Sequence, residues 1–378
     1  MKKIFKLFIP PIIIKLYNLI TNYNFKKFWK KNKKSFEDNH ELKIMIDFFV
    51  NSANYNFVSN YWHYLNIKHL QELLSNKKDL KDYSTSIAKN YFTFINIKDE
   101  EIKGAFENIK QEYNSEKINL FKKQENFSYI ESMRYNNLVY LLWLNAKKKN
   151  LEQKIIDLGD LGYLSYNDPY IDVNDKKITS DKINSIFDYE YINSFIDLNI
   201  QNHVLEIGAG SGRTSQAILK FNEKLKYTIC DIPPALYISY ERLKNVFKNK
   251  KVGLIYNERT EESLKNKINE LDISFIMPDQ LNLIKNKCFD LTIAIDCMHE
   301  MDKNTIRYYL NNLNKISGFF YFSVWKNTYV PFSGNIKFTR NNLDYFKNDY
   351  NIPENWTKKF EKELIFPSNF ICSGYEIM

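Results

Sequence analysis

Apolar positions along the 378-residue chain follow two rhythms. Through residues 37–150 they recur every three or four residues. This spacing predicts helices at Glu41–Asn51, Asn60–Ser75, Ser84–Tyr91, Asp99–Tyr113 and Ser128–Lys148. After residue 200 short apolar runs alternate with helical stretches. The runs at Val204–Ile207, Tyr227–Ile232, Val252–Tyr256, Ile273–Met277, Phe289–Ile295 and Phe319–Val324 predict buried strands. Between and before them, helices are expected at Asp188–Leu198, Arg213–Phe221, after Pro233 and Pro234, at Glu261–Leu271 and at Lys303–Ile316. A terminal hairpin is expected around Lys362–Ile377, whereas residues 151–185 lack a sustained period and read as a connecting loop beside the cleft. The pattern is α/β: a doubly wound, mainly parallel sheet preceded by a helical region, with the ligand at the carboxyl edge of the strands. The implied organisation is an arm over residues 1–35, a helical domain over 36–150, a connector over 151–185 and a sheet domain over 186–378.

The first strand of the sheet domain carries the most informative residues. HVLEIGAGSGRT, His203–Thr214, runs from an apolar strand through Gly208, Gly210 and Gly212 into a helical pattern. That arrangement brings bare backbone and unpaired N–H groups against a ligand. A dinucleotide site would place another glycine at position 213, where this chain has Arg213. Glu206 before the glycines suits a cationic group better than a phosphate. Asp231, 19 residues after Gly212, ends the second strand, where a carboxylate can accept both hydroxyls of a ribose. The ligand these features describe is S-adenosylmethionine (SAM), which has a sulfonium, an ammonium and no phosphate.

Charge sharpens this reading. The net charge is +9, yet residues 1–35 hold ten lysines and no carboxylate, so the remainder is about −1. A nucleic-acid enzyme carries its basic residues around the active site, so no nucleic-acid partner is expected. The arm has no small-residue cleavage site, and its longest apolar run, Leu7–Ile14, is far shorter than the roughly 20 residues of a spanning helix. Two readings of it stand: a helix lying on an anionic membrane through Phe28, Trp29 and the lysines, or a helix docked on the protein's own core. Cys230, Cys288, Cys297 and Cys372 form no C-x-x-C pair and suit free thiols in a reducing cytosol. A cytoplasmic location is therefore expected, at the inner face of the plasma membrane if the arm binds lipid. No Cys/His cluster points to zinc.

Chemistry is expected where FDLTIAI ends in Asp296, Cys297, Met298, His299 and Glu300. His299 is the candidate general base, with Glu300 orienting it or acting itself; alternatively His299 caps the next helix or packs as a neutral core residue. Asp296 with Glu300 could also hold a divalent ion, although nothing in the pattern calls for one. Trp325 and Lys326, after a later strand, are candidates to touch the acceptor. The aromatic run Tyr55, Phe57, Tyr61, Trp62 and Tyr64 could stack on a sugar, though such residues more commonly form core.

These motifs resemble the bacterial sugar O-methyltransferases, a branch of the class I SAM-dependent methyltransferases. The matching segments are VLEIGAGSGRT (204–214), YTICDIPPALYIS (227–239), FIMPDQLNLI (275–284), FDLTIAIDCMHEM (289–301), FFYFSVWK (319–326) and NFICSGYEI (369–377). The resemblance covers roughly residues 130–378 and implies a seven-stranded class I sheet with helices over the cleft. Two departures stand out: family members often carry Trp where Asp279 stands, and the strand and helix at 252–271 lengthen the usual spacing. The resemblance further implies SAM bound by Glu206, Gly208, Gly210, Gly212, Asp231, Ile232, Asp279, Gln280 and Asp296. A sugar hydroxyl would be the acceptor, and the setting surface-polysaccharide synthesis. Methylation of another hydroxylated or aromatic metabolite, or SAM binding without catalysis by a membrane-attached scaffold, are the alternatives.

Overall fold

The computed structural model describes residues 25–53, 55, 58, 60–75, 129–159, 170–301, 303–325, 327–328, 345–346, 350–364 and 370–378. The helical region comprises α1 (Phe25–Asn32), α2 (His40–Asn51), α3 (Asn60–Ser75), α4 (Tyr129–Lys148) and α5 (Glu152–Asp157). A hairpin follows, β1 (Tyr170–Val173) with β2 (Lys176–Thr179), then α6 (Ser180–Phe195). The sheet domain continues as β3 (His203–Ile207), α7 (Arg213–Phe221), β4 (Lys226–Cys230), α8 (Ala235–Val246), β5 (Val252–Leu254), α9 (Glu261–Glu270), β6 (Ile273–Ile276), β7 (Phe289–Ile295), α10 (Lys303–Ile316) and β8 (Ser317–Trp325). It closes with the short pair β9 (Asn327–Thr328) and β10 (Tyr345–Phe346), then β11 (Trp356–Glu363) and β12 (Phe370–Ile377). The expected helices Ser84–Tyr91 and Asp99–Tyr113 lie outside the described residues.

The central sheet has eight strands in the order β11-β12-β8-β7-β3-β4-β6-β5, and β12 alone runs antiparallel to its neighbours. This is the doubly wound, mainly parallel sheet expected, widened by one strand. The widening has a simple origin: β5 and α9 are inserted between β4 and β6, and β5 adds to the free edge of β6 rather than entering the middle. The strand that pairs with β4 is therefore β6, and the inserted β5 lies beyond it.

Strand alternation divides the core between two faces. Val204, Tyr227, Ile229, Phe275, Leu291 and Ile293 pack under α6, α7, α8 and the helical region. Leu205, Ile207, Cys230, Ile276, Ala294 and Phe322 pack against α9 and α10. Central strands buried on both faces read as continuous apolar runs, which is why they were visible in the sequence.

Three expectations change. Residues 151–185 are not merely a loop: they contain α5, the β1–β2 hairpin and the first turn of α6. Helix α6 starts at Ser180, eight residues before the expected start, because Thr179 caps it by accepting the Lys182 N–H at 3.2 Å. The terminal hairpin begins at Trp356 rather than Lys362, and its polar sequence, WTKKFEKE, suits a sheet edge.

The arm divides as well. In α1, Phe25 is fully buried and Trp29 is 2% exposed, tilted against Phe36 with ring centroids 5.5 Å apart. The Trp29 indole N–H donates to Asp47 Oδ1 at 2.7 Å. Trp29 is thus core, not a membrane-interface residue, and the lysines of α1 line its opposite, exposed face. The remainder of the arm, residues 1–24, lies outside the described residues. No helix among the described residues is long and apolar enough to cross a membrane. Replacement Trp29→Ala should lower stability by about 3–5 kcal/mol in lipid-free buffer, the usual cost of emptying a buried aromatic site. A urea midpoint unchanged from the native protein would show that α1 is not part of the core.

Candidate functional site

The turn between β3 and α7 is built around left-handed glycines. Gly208, Gly210 and Gly212 have φ of 68°, 56° and 74°. At Gly208 both space and conformation exclude a side chain: an added Cβ would lie 2.6 Å from Cys297 Cβ. Its N–H donates to the Cys230 carbonyl at 2.9 Å, and the Cys297 thiol donates to the Ile207 carbonyl at 3.2 Å. The turn is thereby fastened to the carboxyl ends of β4 and β7. Gly210 is the opposite case. A Cβ there would meet nothing within 4 Å, so its bare backbone borders open space, the cradle a ligand requires.

Asp231 follows β4 directly. Its Oδ2 accepts the Gly210 N–H at 2.9 Å and its Oδ1 accepts the Ile232 N–H at 2.7 Å. Burial pushes its carboxyl up to about 6, against the pull of those two donors. Beyond it Ile232, Met277, Pro278 and Asp279 line a narrow apolar pocket whose other walls include Tyr308 and Tyr309 of α10. Gln280 does not face this pocket. Its Oε1 accepts the Met277 N–H at 2.9 Å and caps the short 3-10 turn Pro278–Leu283, so it shapes the turn, while Asp279 lines the pocket.

An ion cluster closes the other side of the turn. Arg213 Nη1 donates to Asp188 Oδ2 at 2.6 Å, and Nη2 lies 3.4 Å from Asp296 Oδ2. Asp188 comes from α6, Arg213 opens α7 and Asp296 follows β7, so one guanidinium ties three elements together. Burial raises the carboxyls of both aspartates while Arg213 pulls them down. The side chain of Asp188 is 10% exposed and that of Asp296 is 37% exposed, so Asp296 reaches the cleft and Asp188 does not. The backbone of Asp296 is left-handed, φ 57°, which a short acidic side chain tolerates.

The other expected site residues are placed differently. Glu206 is 2% exposed and lies beneath α7, where it accepts from the Ser215 hydroxyl and, at 2.8 Å, from the Tyr227 hydroxyl. Burial pushes its carboxyl up to about 7. It therefore braces β3, β4 and α7 from within rather than meeting a cationic ligand. His299 is 2% exposed in the 3-10 turn Met298–Glu300 and meets Phe370 edge-on, with ring centroids 5.8 Å apart. Burial pushes its imidazole down to about 3, which makes it a neutral and weak base. Glu300, in the same turn, is buried too. Lys326 and the side chain of Trp325 lie outside the described residues, as do Phe57 and the side chains of Tyr61 and Tyr64. Tyr55 is core, buried against Phe49 and His63.

Sequence reasoning missed two contributors. Asp188 stands within an apolar helix stripe and carried no local signal; only the arginine in a glycine's place hinted that an acid must lie opposite. Phe49, Ser52 and Val58, from the helical region, also line the pocket beside Asp231. Among the described residues no group of three His, Cys, Asp or Glu side chains is arranged to hold a metal ion. Between Asp188 and Asp296 a guanidinium takes the cationic position.

No protein-family model matches the chain, and no curated protein matches it. Solved structures do resemble it. The PH0226 protein from Pyrococcus horikoshii superposes on 53% of this chain and 92% of its own, at 14% identity and a TM-score of 0.38. The methyltransferase domain of bacterial CtHen1 matches 51% of this chain and 98% of its own, at 14% identity and a TM-score of 0.34. Mitomycin 7-O-methyltransferase MmcR matches 52% of this chain and 56% of its own, at 10% identity and a TM-score of 0.33. Likeness at this level leaves the activity to be read from the chain's own residues.

The ion cluster makes a direct prediction. Arg213→Met should cost about 3–5 kcal/mol, because Asp188 is left buried without its counter-charge. Adding Asp188→Asn should restore most of that loss in urea unfolding. Equal stability of the single and double variants would show that the pair does not hold the turn.

Proposed function

We propose that this chain is a SAM-dependent O-methyltransferase acting on a sugar hydroxyl. The carrying observation is the bare, left-handed Gly210 facing open space with its N–H on Asp231, whose neighbour Ile232 lines an apolar pocket. These residues fit SAM. Gly210 accommodates its close approach, Asp231 would accept the ribose hydroxyls, and Ile232 and Asp279 would flank the base. A phosphate-bearing dinucleotide fits poorly, because Arg213 is already held by two carboxylates and Arg242 is buried with its guanidinium donating to Ser211 and Gln216. When bound, SAM supplies an electrophilic methyl group.

The chain's own task is then to position an acceptor hydroxyl and take its proton. Asp296 is the group placed for this, at the carboxyl end of β7 and partly exposed, whereas His299 is buried and a poor base. Its carboxyl, lifted toward about 7, holds a proton more firmly than an ordinary carboxylate would, which suits a general base near neutral pH. Arg213 fixes its orientation. The sugar as acceptor is supported by the DIPPALYIS and DCMHEM segments, and surface-polysaccharide synthesis is the setting they suggest. We extend the proposal to the arm: the exposed lysines of α1, with those before it, would engage anionic lipid at the cytoplasmic face.

Calorimetry with S-adenosylhomocysteine tests the cofactor. Asp231→Ala should weaken binding by about 1–3 kcal/mol, the cost of unpaired hydroxyls. Native affinity should fall as pH drops below about 6, because the raised Asp231 carboxyl then takes up a proton and loses its charge. Tight NAD binding, or unchanged affinity in Asp231→Ala, would overturn the assignment. For the chemistry, methyl transfer from labelled SAM to nucleotide-linked and glycan sugars should fall roughly 10²–10⁴-fold in Asp296→Asn with SAM affinity retained. The native rate should rise between pH 5 and 8 as Asp296 deprotonates. Transfer only to phenolic acceptors would replace the sugar with an aromatic metabolite, and a loss confined to His299→Ala would return the base role to His299.

A further inference from the structure

A second charged cluster lies on α6, one helical turn past the aspartate that holds Arg213. Tyr191 follows Asp188 by three residues, so the two share a helix face with Cβ atoms about 5–6 Å apart. Two lysines from other elements converge on Tyr191. Lys149, just past the end of α4, donates from Nζ to the Tyr191 hydroxyl at 3.0 Å and lies 4.7 Å from the Phe187 ring centroid. Lys362 of β11 places its Nζ 4.9 Å from the Tyr191 ring centroid. Among the described residues no carboxylate pairs with either lysine. Strand alternation sends Lys362 to the face opposite Glu361 and Glu363. The α6 carboxylates flanking Tyr191 are engaged elsewhere, Asp188 with Arg213 and Glu190 with Lys154. Tyr191 itself is 9% exposed. Its oxygen accepts from Lys149, and its own proton meets no acceptor among the described residues.

Two like charges gathered around one ring repel each other, and burial pushes the Lys149 ammonium down as well. An anion between them would offset both costs. Three donors stand ready for it: two ammonium groups and the Tyr191 hydroxyl. The sheet register sets this cluster on the acceptor side of the carboxyl edge. Lys362 pairs with Cys372, Cys372 with Ser323, and Ser323 with Ile295, the residue before Asp296. From β7 to β11 that row spans three strand spacings, about 14 Å between backbones. We propose that Lys149, Lys362 and Tyr191 bind a phosphoryl group carried by the acceptor sugar. The sugar ring then lies between Asp296, which takes the proton, and the lysines, which hold the charged end. On the sugar reading above, on which this rests, the acceptor is a glycosyl ester of a diphosphate rather than a neutral glycoside. Nucleotide-linked and lipid-linked sugars share that group. The glycine turn excludes phosphate because Arg213 is already neutralised; the lysine pair, with no carboxylate of its own, admits it.

Inorganic pyrophosphate is the first probe, in calorimetry on the full chain at low ionic strength. It should bind the native protein, and more weakly as salt rises. Lys149→Met and Lys362→Met should each weaken it about tenfold, the value of one hydrogen bond between charged groups. Tyr191→Phe should weaken it less, and Lys362→Arg should retain most of the affinity. Because Lys362 is exposed, Lys362→Met should keep the native urea midpoint, so its loss of affinity is not a loss of fold. In methyl transfer, pyrophosphate should compete with the sugar acceptor and not with SAM. Uridine diphosphate and farnesyl diphosphate then identify the source. Tighter binding of the first than of pyrophosphate supports a nucleotide-linked acceptor, and of the second a lipid-linked one. Absence of pyrophosphate binding, native affinity in both lysine variants, or inhibition competitive with SAM would each overturn the proposal, even with neutral sugars methylated. Pyrophosphate held by the lysines without methyl transfer to any sugar would instead remove the sugar reading.

Discussion

The site depends on how one misplaced charge is balanced. Arg213 occupies the first position of α7, at the positive end of the helix dipole, where a cation is least welcome. It is nearly buried as well, with its side chain 17% exposed. Such a charge is tolerable only if counter-charges reach it with good geometry. Asp188 does so from α6 and Asp296 from the end of β7. The balance therefore fixes more than the arginine: it sets α6 against α7 and aims Asp296 along the carboxyl edge. It also sets the character of the cleft. A free guanidinium beside the glycine turn would invite a phosphate, whereas one shared by two carboxylates offers no anion site. Gly210 itself meets a carboxylate, that of Asp231, which suits a cationic or hydroxyl-bearing ligand better than an anion.

The glycine turn is held by contacts that leave one face free. Gly208 is pressed against Cys297, and Gly212 backs onto Ser239 of α8. Neither could carry a side chain without moving a neighbour. Gly210 between them is unhindered, so the same turn is rigid where it meets protein and bare where it meets the cleft. Burial pushes the Cys297 thiol well above its usual range, so it serves as a spacer and a donor to Ile207, not as a nucleophile.

Much of the sheet was legible because its central strands are buried on both faces and carry no polar interruption. β7 and α10 match their expected bounds residue for residue. What was not legible was amphipathic or polar. The β1–β2 hairpin alternates Asp172 and Lys177 with Ile171 and Ile178 over only four residues per strand, too short a period to stand out. The first turn of α6 is polar, and only its Thr179 cap marks the start. Within the site, the glycines and Asp231 were readable because their chemistry is local to one turn. The burial of Glu206 was carried by alternation: it shares a strand face with Val204, and that face lies under α7. Asp188 and Phe49 could not be found, since each acts on residues distant in sequence.

The fate of the two candidate bases turns on a single residue's backbone. β7 ends at Ile295, and Cys297 two residues on already packs against Gly208. Asp296 makes that exit in the left-handed region, φ 57°, and its N–H stays paired with the Ser323 carbonyl at 3.0 Å. The reversal carries the following 3-10 turn back into the core and takes His299 and Glu300 with it. The residue at the bend cannot follow them, and its side chain stays at the edge against Arg213. Two titratable groups three residues apart thus answer the same loss of water in opposite directions: burial disfavours the charged form of each, so the imidazole loses basicity while the carboxyl, partly exposed beside Arg213, gains it. That separation goes with the left-handed backbone of Asp296, one residue before the Cys297 that packs against Gly208, so the bend lies directly beside the glycine turn.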